Sequence, residues 1–251
     1  MPEPGQRVHV LYEDKDLIAV DKPAGLHTAP LRKGETGTLL AQVIEHYPEI
    51  AALPGIKPSE PGLLHRLDRD TSGVVLLART EAAFQRLRAE FAGGRVRKEY
   101  LALCAPTAAV RPGQRYALES RFAPYGPGRR MVRVVPAGRE GAGGGGRKAS
   151  GGLYHTEVEV LEVRGSRALV RARIVKGFRH QVRAHLAHLG LPLAGDPLYG
   201  VPASPGACGR LYLHASAVEL EHPASGVPLR IGSPLPPDFE LWYGGDREGN
   251  V

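Results

Sequence analysis

The segment that most constrains the fold is Val74-Val75-Leu76-Leu77-Ala78, an unbroken apolar run that reads as a buried strand. Directly before it stands Gly62-Leu63-Leu64-His65-Arg66-Leu67-Asp68-Arg69-Asp70-Thr71-Ser72-Gly73. Two carboxylates lie there among a histidine and two arginines, and Thr71-Ser72-Gly73 reads as the turn into the strand. A charged loop leading into a rigid element is a common way to hold a reactive group in place. A carboxylate among cations stays charged at neutral pH, and it can then act as nucleophile or base.

The rest of the chain alternates strand and helix patterns. Val8 to Tyr12 and Leu17 to Val20 read as strands, the second ended by the turn-rich Asp21-Lys22-Pro23-Ala24-Gly25. Thr38 to Tyr47 has helical spacing, with Leu39, Leu40, Val43 and Ile44 on one side. Thr80 is placed to cap a helix carrying Phe84, Leu87 and Phe91 on one stripe, and Gly93-Gly94 is placed to end it. Lys98 to Leu103, Met131 to Val135 and Thr156 to Val163 read as further strands. Between the last two lies the Gly-rich run 141–152, whose composition predicts a mobile loop, with Arg147 and Lys148 able to touch a polyanion. Strand patterns on both sides of it favour one domain over two.

With 251 residues, 42% of them hydrophobic, the chain can build a substantial core. Its formal net charge of +7 attracts polyanions, nucleic acid first among them, although a basic surface can also serve solubility alone. Cys104 and Cys208 stand far apart outside any CxxC pattern, which fits free thiols in a reducing compartment. Met1 to Arg7 has no apolar stretch of the signal-peptide kind, and no run approaches the roughly 20 apolar residues of a membrane span. These features predict a cytoplasmic protein without membrane contact.

A second concentration of charge is Lys176-Gly177-Phe178-Arg179-His180-Gln181-Val182-Arg183-Ala184-His185-Leu186-Ala187-His188-Leu189-Gly190. Val182, Leu186 and Leu189 form an apolar helical stripe, and Gly190 suits the position just past the helix end. Arg179 and Arg183 flank that stripe, and planar guanidiniums grip carboxylates or phosphates in pairs. His180, His185 and His188 lack the spacing of a zinc site, and no acidic residue lies in the run, so local hydrogen bonding is the expected role.

His65 to Gly73 resembles the HRLDxxTSG signature of the RluA-type pseudouridine synthases. Four further segments resemble the same family in the same order. They are Val10-Leu11-Tyr12-Glu13-Asp14 with Val20 to Leu26, then Lys98-Glu99-Tyr100, then Gly177 to Gly200 with its Gly195-Asp196-Pro197-Leu198-Tyr199-Gly200, and finally Leu213-His214-Ala215 with Pro234-Leu235-Pro236. The resemblance spans about Val8 to Phe239. It implies an α+β fold on a long, mixed, mostly antiparallel sheet with flanking helices and a central RNA-binding cleft. It also implies a compact form, one catalytic domain with a core at about 8–240 and no S4 module.

The implied activity is isomerisation of uridine to pseudouridine in an rRNA or tRNA stem-loop, with no cofactor, no metal and no obligate protein partner. By the same resemblance Asp68 is the catalytic aspartate, acting on C1′ of the ribose or C6 of the base, or promoting glycal formation. Tyr100 stacks beside the uracil, with its hydroxyl a candidate for proton transfer. Arg183 pairs with Asp68, and Arg66 enters the RNA to fill the space the base leaves. His65, Arg69, Lys98, Arg179 and His180 complete the expected RNA contacts. Asp70 becomes a turn acceptor or ion-pair partner. Phe178 departs from the family pattern, which places arginine there, and Arg179 follows it.

Two other classes remain distinguishable. An RNA chaperone on the same fold would lack the aspartate, tyrosine or arginine, yet all three are present. A metal-dependent hydrolase built on the histidine run would lose activity to a chelator.

Overall fold

The computed structural model of the chain describes residues 8–32, 34–136, 149–200 and 210–239. In chain order the elements are β1 (His9–Glu13), β2 (Leu17–Lys22), α1 (Leu39–His46), β3 (Ser72–Ala78), α2 (Glu81–Gly93), β4 (Arg97–Cys104), β5 (Arg115–Tyr125), β6 (Met131–Pro136), β7 (Tyr154–Arg164), β8 (Arg167–Ile174), α3 (Gln181–His188), β9 (Leu213–Glu221) and β10 (Pro228–Gly232). Short 3-10 turns occupy Pro48–Ala52 and Pro127–Arg129. The fold is α+β, as the sequence implied, and the strand pairings described below for the first unit are antiparallel except one. The chain divides into two compact units, Met1–Glu99 with His214–Pro234, and Tyr100–Leu213 with Leu235–Val251.

In the first unit β2 lies between β1 and β3 in antiparallel pairing, from Leu17↔Ala78 to Lys22↔Gly73. β3 then meets β9 in parallel at Ser72↔His214 and Gly73↔Ala215, and β10 closes antiparallel on β9. All seven residues of β3 are buried. Val74, Leu76 and Ala78 pack with Leu17 and Ala19 against Ala83, Phe84, Leu87 and Phe91 of α2, a period of two meeting a helical stripe. Thr80 caps α2 by accepting the Ala83 N–H at 3.2 Å, and Gly94 ends it in the left-handed conformation at φ 71°.

One turn is displaced from its expected place. Ser72 and Gly73 belong to β3, and the turn closes earlier, where Thr71 N–H donates to the Asp68 carbonyl at 3.1 Å. Gly73 has φ +112°, and a Cβ there would lie 2.2 Å from the Ala215 carbonyl oxygen. The strand therefore needs glycine to let β9 approach.

In the second unit the strand order is β4-β8-β7-β5-β6. α3 covers β5 and β6 through Ala184, Phe122 and Val132. A second cluster joins Leu103, Ala194, Tyr212 and Phe239. Residues 141–148 of the Gly-rich run lie outside the described residues, as do Cys208 and the chain after Phe239. The end of that run is not loose, contrary to expectation. Ser150 N–H donates to the Phe122 carbonyl at 2.7 Å, its Oγ accepts the Phe122 N–H at 3.0 Å, and Arg121 Nη1 donates to the Gly151 carbonyl at 2.8 Å.

Candidate active site

The Asp68 loop has no regular secondary structure, so its shape depends on contacts from outside. Residues 22–28 supply them. Thr28 Oγ1 donates to the Leu67 carbonyl at 2.9 Å and accepts the Leu67 N–H at 3.2 Å. The Lys22 ammonium, wholly buried, donates to the carbonyls of Pro23, Leu26 and Arg69 at 2.8, 2.7 and 2.9 Å. Gly25 exchanges two further bonds with Arg69: its N–H donates to the Arg69 carbonyl at 2.9 Å, and its own carbonyl accepts Arg69 Nε at 3.1 Å. Both neighbours of Asp68 are thus fastened, while Asp68 itself is partly exposed. Five hydrogen bonds to the two neighbours of one residue make a preorganised loop.

The charged residues of this loop divide by burial. Arg66 and Arg69 are exposed, Arg66 reaching the buried Glu60 at 3.1 Å and Arg69 lying 3.9 Å from Asp70. His65 and Lys98, both expected among the RNA contacts, are turned into the protein instead. His65 Nε2 accepts the Leu76 N–H at 3.2 Å, and its ring stacks on Phe91 at 5.4 Å. Burial, helped by the nearby Lys98 charge, pushes its pKa down to about 3, so it is neutral at pH 7. The Lys98 ammonium lies 5.6 Å from the centre of the Phe91 ring, and burial lowers its pKa to about 8. The alternation of β4 points Lys98 inward rather than toward RNA.

In the second unit Tyr100 is buried on β4, and Arg183 is buried in the first turn of α3. The Arg183 guanidinium forks onto Asp196, with Nε to Oδ2 at 2.8 Å and Nη2 to Oδ1 at 2.7 Å. Tyr199 lies beneath it, ring centre 5.3 Å from Cζ. Arg179 and Arg183 do not form one grip. Arg179 precedes the helix, is exposed, and donates through Nη2 to the Arg129 carbonyl at 2.6 Å. His180 has a left-handed backbone at φ 56°, and its Nδ1 lies 3.1 Å from the Tyr199 hydroxyl.

Phe178 is part of the packing: it stacks flat on Phe122 at 5.0 Å and meets Tyr154 at the same separation. His185 is bound by distant hydroxyls rather than locally, 2.8 Å from Ser120 Oγ and 2.7 Å from Thr156 Oγ1. Burial lowers its pKa to about 4.

Sequence reasoning missed Lys22, Thr28, Asp196 and Tyr199 as supports. Each lies in a segment that the family resemblance had flagged or adjoined, and a buried lysine beside Pro23-Ala24-Gly25 was the available signal. Among the described residues, Asp14, Asp16 and His222 form a group with metal-ligand atoms close together. Its best donors are already occupied. Asp14 accepts the Asp16 and Leu17 N–H groups at 2.8 Å, the Tyr12 hydroxyl at 2.6 Å and His222 Nε2 at 2.6 Å. His222 Nδ1 in turn accepts two backbone N–H groups. No helix among the described residues is long and apolar enough to cross a membrane.

A preorganised aspartate loop and a buried arginine on an α+β scaffold match one class of fold. Human RNA Pseudouridylate Synthase Domain Containing 4 is 25% identical with a TM-score of 0.66, over 92% of this chain and 90% of that one. Human RNA Pseudouridylate Synthase Domain Containing 1 is 24% identical with the same TM-score, over 92% and 86%. The sequence pattern of the RNA pseudouridylate synthase family matches residues 16–188, and the chain belongs to that family. Ribosomal large subunit pseudouridine synthase D of Pseudomonas aeruginosa is 32% identical over 94% of this chain and 70% of its own length. An RNA pseudouridine synthase of Chloroflexus aurantiacus is 34% identical over 88% and 64%. The chain is thus an isomerase that acts on uridine in RNA.

Proposed function

We propose that the chain converts a specific uridine of large-subunit ribosomal RNA to pseudouridine, in the cytoplasm, as a single catalytic domain needing only RNA. The names of its relatives support the choice of ribosomal RNA. A tRNA stem-loop is the competing substrate. The reaction breaks the bond from C1′ to N1 and forms one from C1′ to C5; N1 gains a proton and C5 loses one, so nothing is oxidised. Asp68 opens it by attack at C1′ or C6, or by promoting the glycal. Arg183 is the cation that partners Asp68, and Tyr100 stands beside the uracil with its hydroxyl available for proton transfer.

The target base must leave its stack, at a cost of a few kcal/mol. Arg66 enters the vacated space, while Arg69, Arg179 and His180 serve the RNA backbone. The observation that carries this reading is the double fastening of Leu67 and Arg69, which presents the Asp68 carboxylate on a fixed loop beside two exposed guanidiniums.

Transcripts of large-subunit rRNA and of tRNA carrying C5-tritiated uridine test it. The rRNA should release tritium, in the presence of EDTA as in its absence. Asp68→Asn should lower release by at least about 10⁴-fold with the fold intact, since the backbone carbonyl of Asp68 closes the turn and is kept in the variant. Silence on both RNAs would sink the reading, release from tRNA alone would move the substrate, and an active Asp68→Asn enzyme would remove the nucleophile assignment.

A further inference from the structure

Arg183 is 6% exposed and Asp196 1%, so their ion pair is sealed from water. Replacing such a buried pair with apolar residues is often neutral or stabilising, so stability alone is a poor reason for its presence. Its geometry points to another. Asp196 engages both Nε and Nη2, which sets the plane and the direction of the guanidinium. Its Oδ1 also accepts the N–H groups of Leu198 and Tyr199 at 2.9 and 3.2 Å, which fixes the carboxylate in its turn. That turn is closely packed: a Cβ on Gly195 would lie 1.9 Å from the Arg210 carbonyl oxygen, and one on Gly200 2.1 Å from that of Leu193.

Tyr199 holds the other side of the guanidinium. Its hydroxyl accepts the Val132 N–H at 2.6 Å, so the ring beneath Arg183 is tied to the β5–β6 hairpin. Burial raises the pKa of Tyr199 to about 12, which keeps it a neutral phenol. Arg179 braces the same hairpin, donating to the Arg129 and Met131 carbonyls at 2.6 and 3.4 Å. The hairpin tip carries exposed Arg129 and Arg130, with Arg129 in a left-handed conformation at φ 56°.

We infer that Asp196 and Tyr199 are positioning residues for the isomerisation: Asp196 fixes the plane and direction of the Arg183 guanidinium, and Tyr199 couples that orientation to the β5–β6 hairpin. The inference rests on the assignment of Arg183 to the reaction. An interaction that fixes the direction of a catalytic charge acts on the chemical step, because misplacement by about 1 Å can cost 10²-fold in rate.

The test is the single-turnover rate of tritium release with enzyme in saturating excess over the tritiated rRNA transcript, or over the tRNA transcript if that is the one turned over. This rate reads chemistry rather than the folded fraction. Asp196→Asn keeps one acceptor of the fork and should slow the step about 30-fold, with the dissociation constant for the transcript changed by less than about 3-fold. Asp196→Glu restores both acceptor oxygens and should recover part of that loss. Tyr199→Phe keeps the ring under Arg183, loses only the hydroxyl bonds, and should slow the step about 5-fold.

Wild-type rates in both Asp196→Asn and Tyr199→Phe would overturn the inference. So would losses confined to RNA affinity or thermal stability. If Asp196→Asn does not fold, Tyr199→Phe decides alone. A silent wild type or an active Asp68→Asn enzyme would instead strike the functional reading beneath.

Discussion

Asp68 stands on an irregular loop fastened through the backbone of its neighbours, whereas Arg183 stands on a helix and is fastened through its own side chain. The first arrangement leaves Asp68 partly exposed and fixes where its side chain starts. The second buries the guanidinium and fixes which nitrogen faces where. A group that must react needs access, so its support comes from behind. A group that acts by its field and direction gains from burial, where charge interactions are stronger than in water.

Four substitutions sharpen or break this contrast, and the largest effect belongs to the loop. Lys22→Met takes the ammonium donor from the Pro23 and Leu26 carbonyls and leaves that of Arg69 to the Gly25 N–H, so urea unfolding should show a loss of about 2–6 kcal/mol, at roughly 1–3 kcal/mol for each of the two unsatisfied groups. The residual folded enzyme should release tritium more slowly. Full turnover in that variant would show that the loop holds its shape unaided.

The helix region has its own signature in acid. His185 has a folded pKa near 4 against an ordinary 6.5, so the unfolded chain takes up its proton first as pH falls. The corresponding stability is complete above pH 6.5 and is lost between there and pH 4, on the order of 3 kcal/mol in total. His185→Gln should therefore be less stable than wild type at pH 7 yet less sensitive to acidification, as read from urea midpoints at pH 7 and 4.5. An equal acid sensitivity in both proteins would place the titration elsewhere.

Thr28→Val removes the donor and acceptor that hold Leu67 and should cost about 2 kcal/mol, with a fall in turnover larger than any change in RNA affinity. A loss in affinity alone would mean that the clamp serves binding rather than Asp68. The smallest effect is expected at the surface. Arg66→Ala should weaken RNA binding and reduce the slope of affinity against salt by about one ion. An unchanged slope would limit Arg66 to its ion pair with Glu60.

Much of the local structure was legible in the chain. α2 carried its cap, stripe and stop in view, Thr80 at its start and Gly94 at its end, and α1 showed its apolar side. The apolar run at 74–78 was a buried strand because nothing in it could face water. The motif around Asp68 named the candidate carboxylate, since its neighbours and their order are properties of sequence.

What could not be read depended on partners far away along the chain. Ser72 and Gly73 looked like a turn, and the partner at His214, 142 residues on, makes them strand. Lys98 and His65 looked like cations for RNA until burial against Phe91 neutralised one and lowered the pKa of the other. Phe178 looked like a lost arginine, and its stacking on Phe122 gives it a place in the core.

The sequence by itself determined the cap of α2 through local hydrogen bonding, and its motifs implied the class of fold and the candidate carboxylate. Only the tertiary structure decided what holds the two charges in place. Lys22 reaches Arg69 across 47 residues and Arg183 reaches Asp196 across 13, and such pairings arise from burial in the folded core rather than from any local preference of the chain.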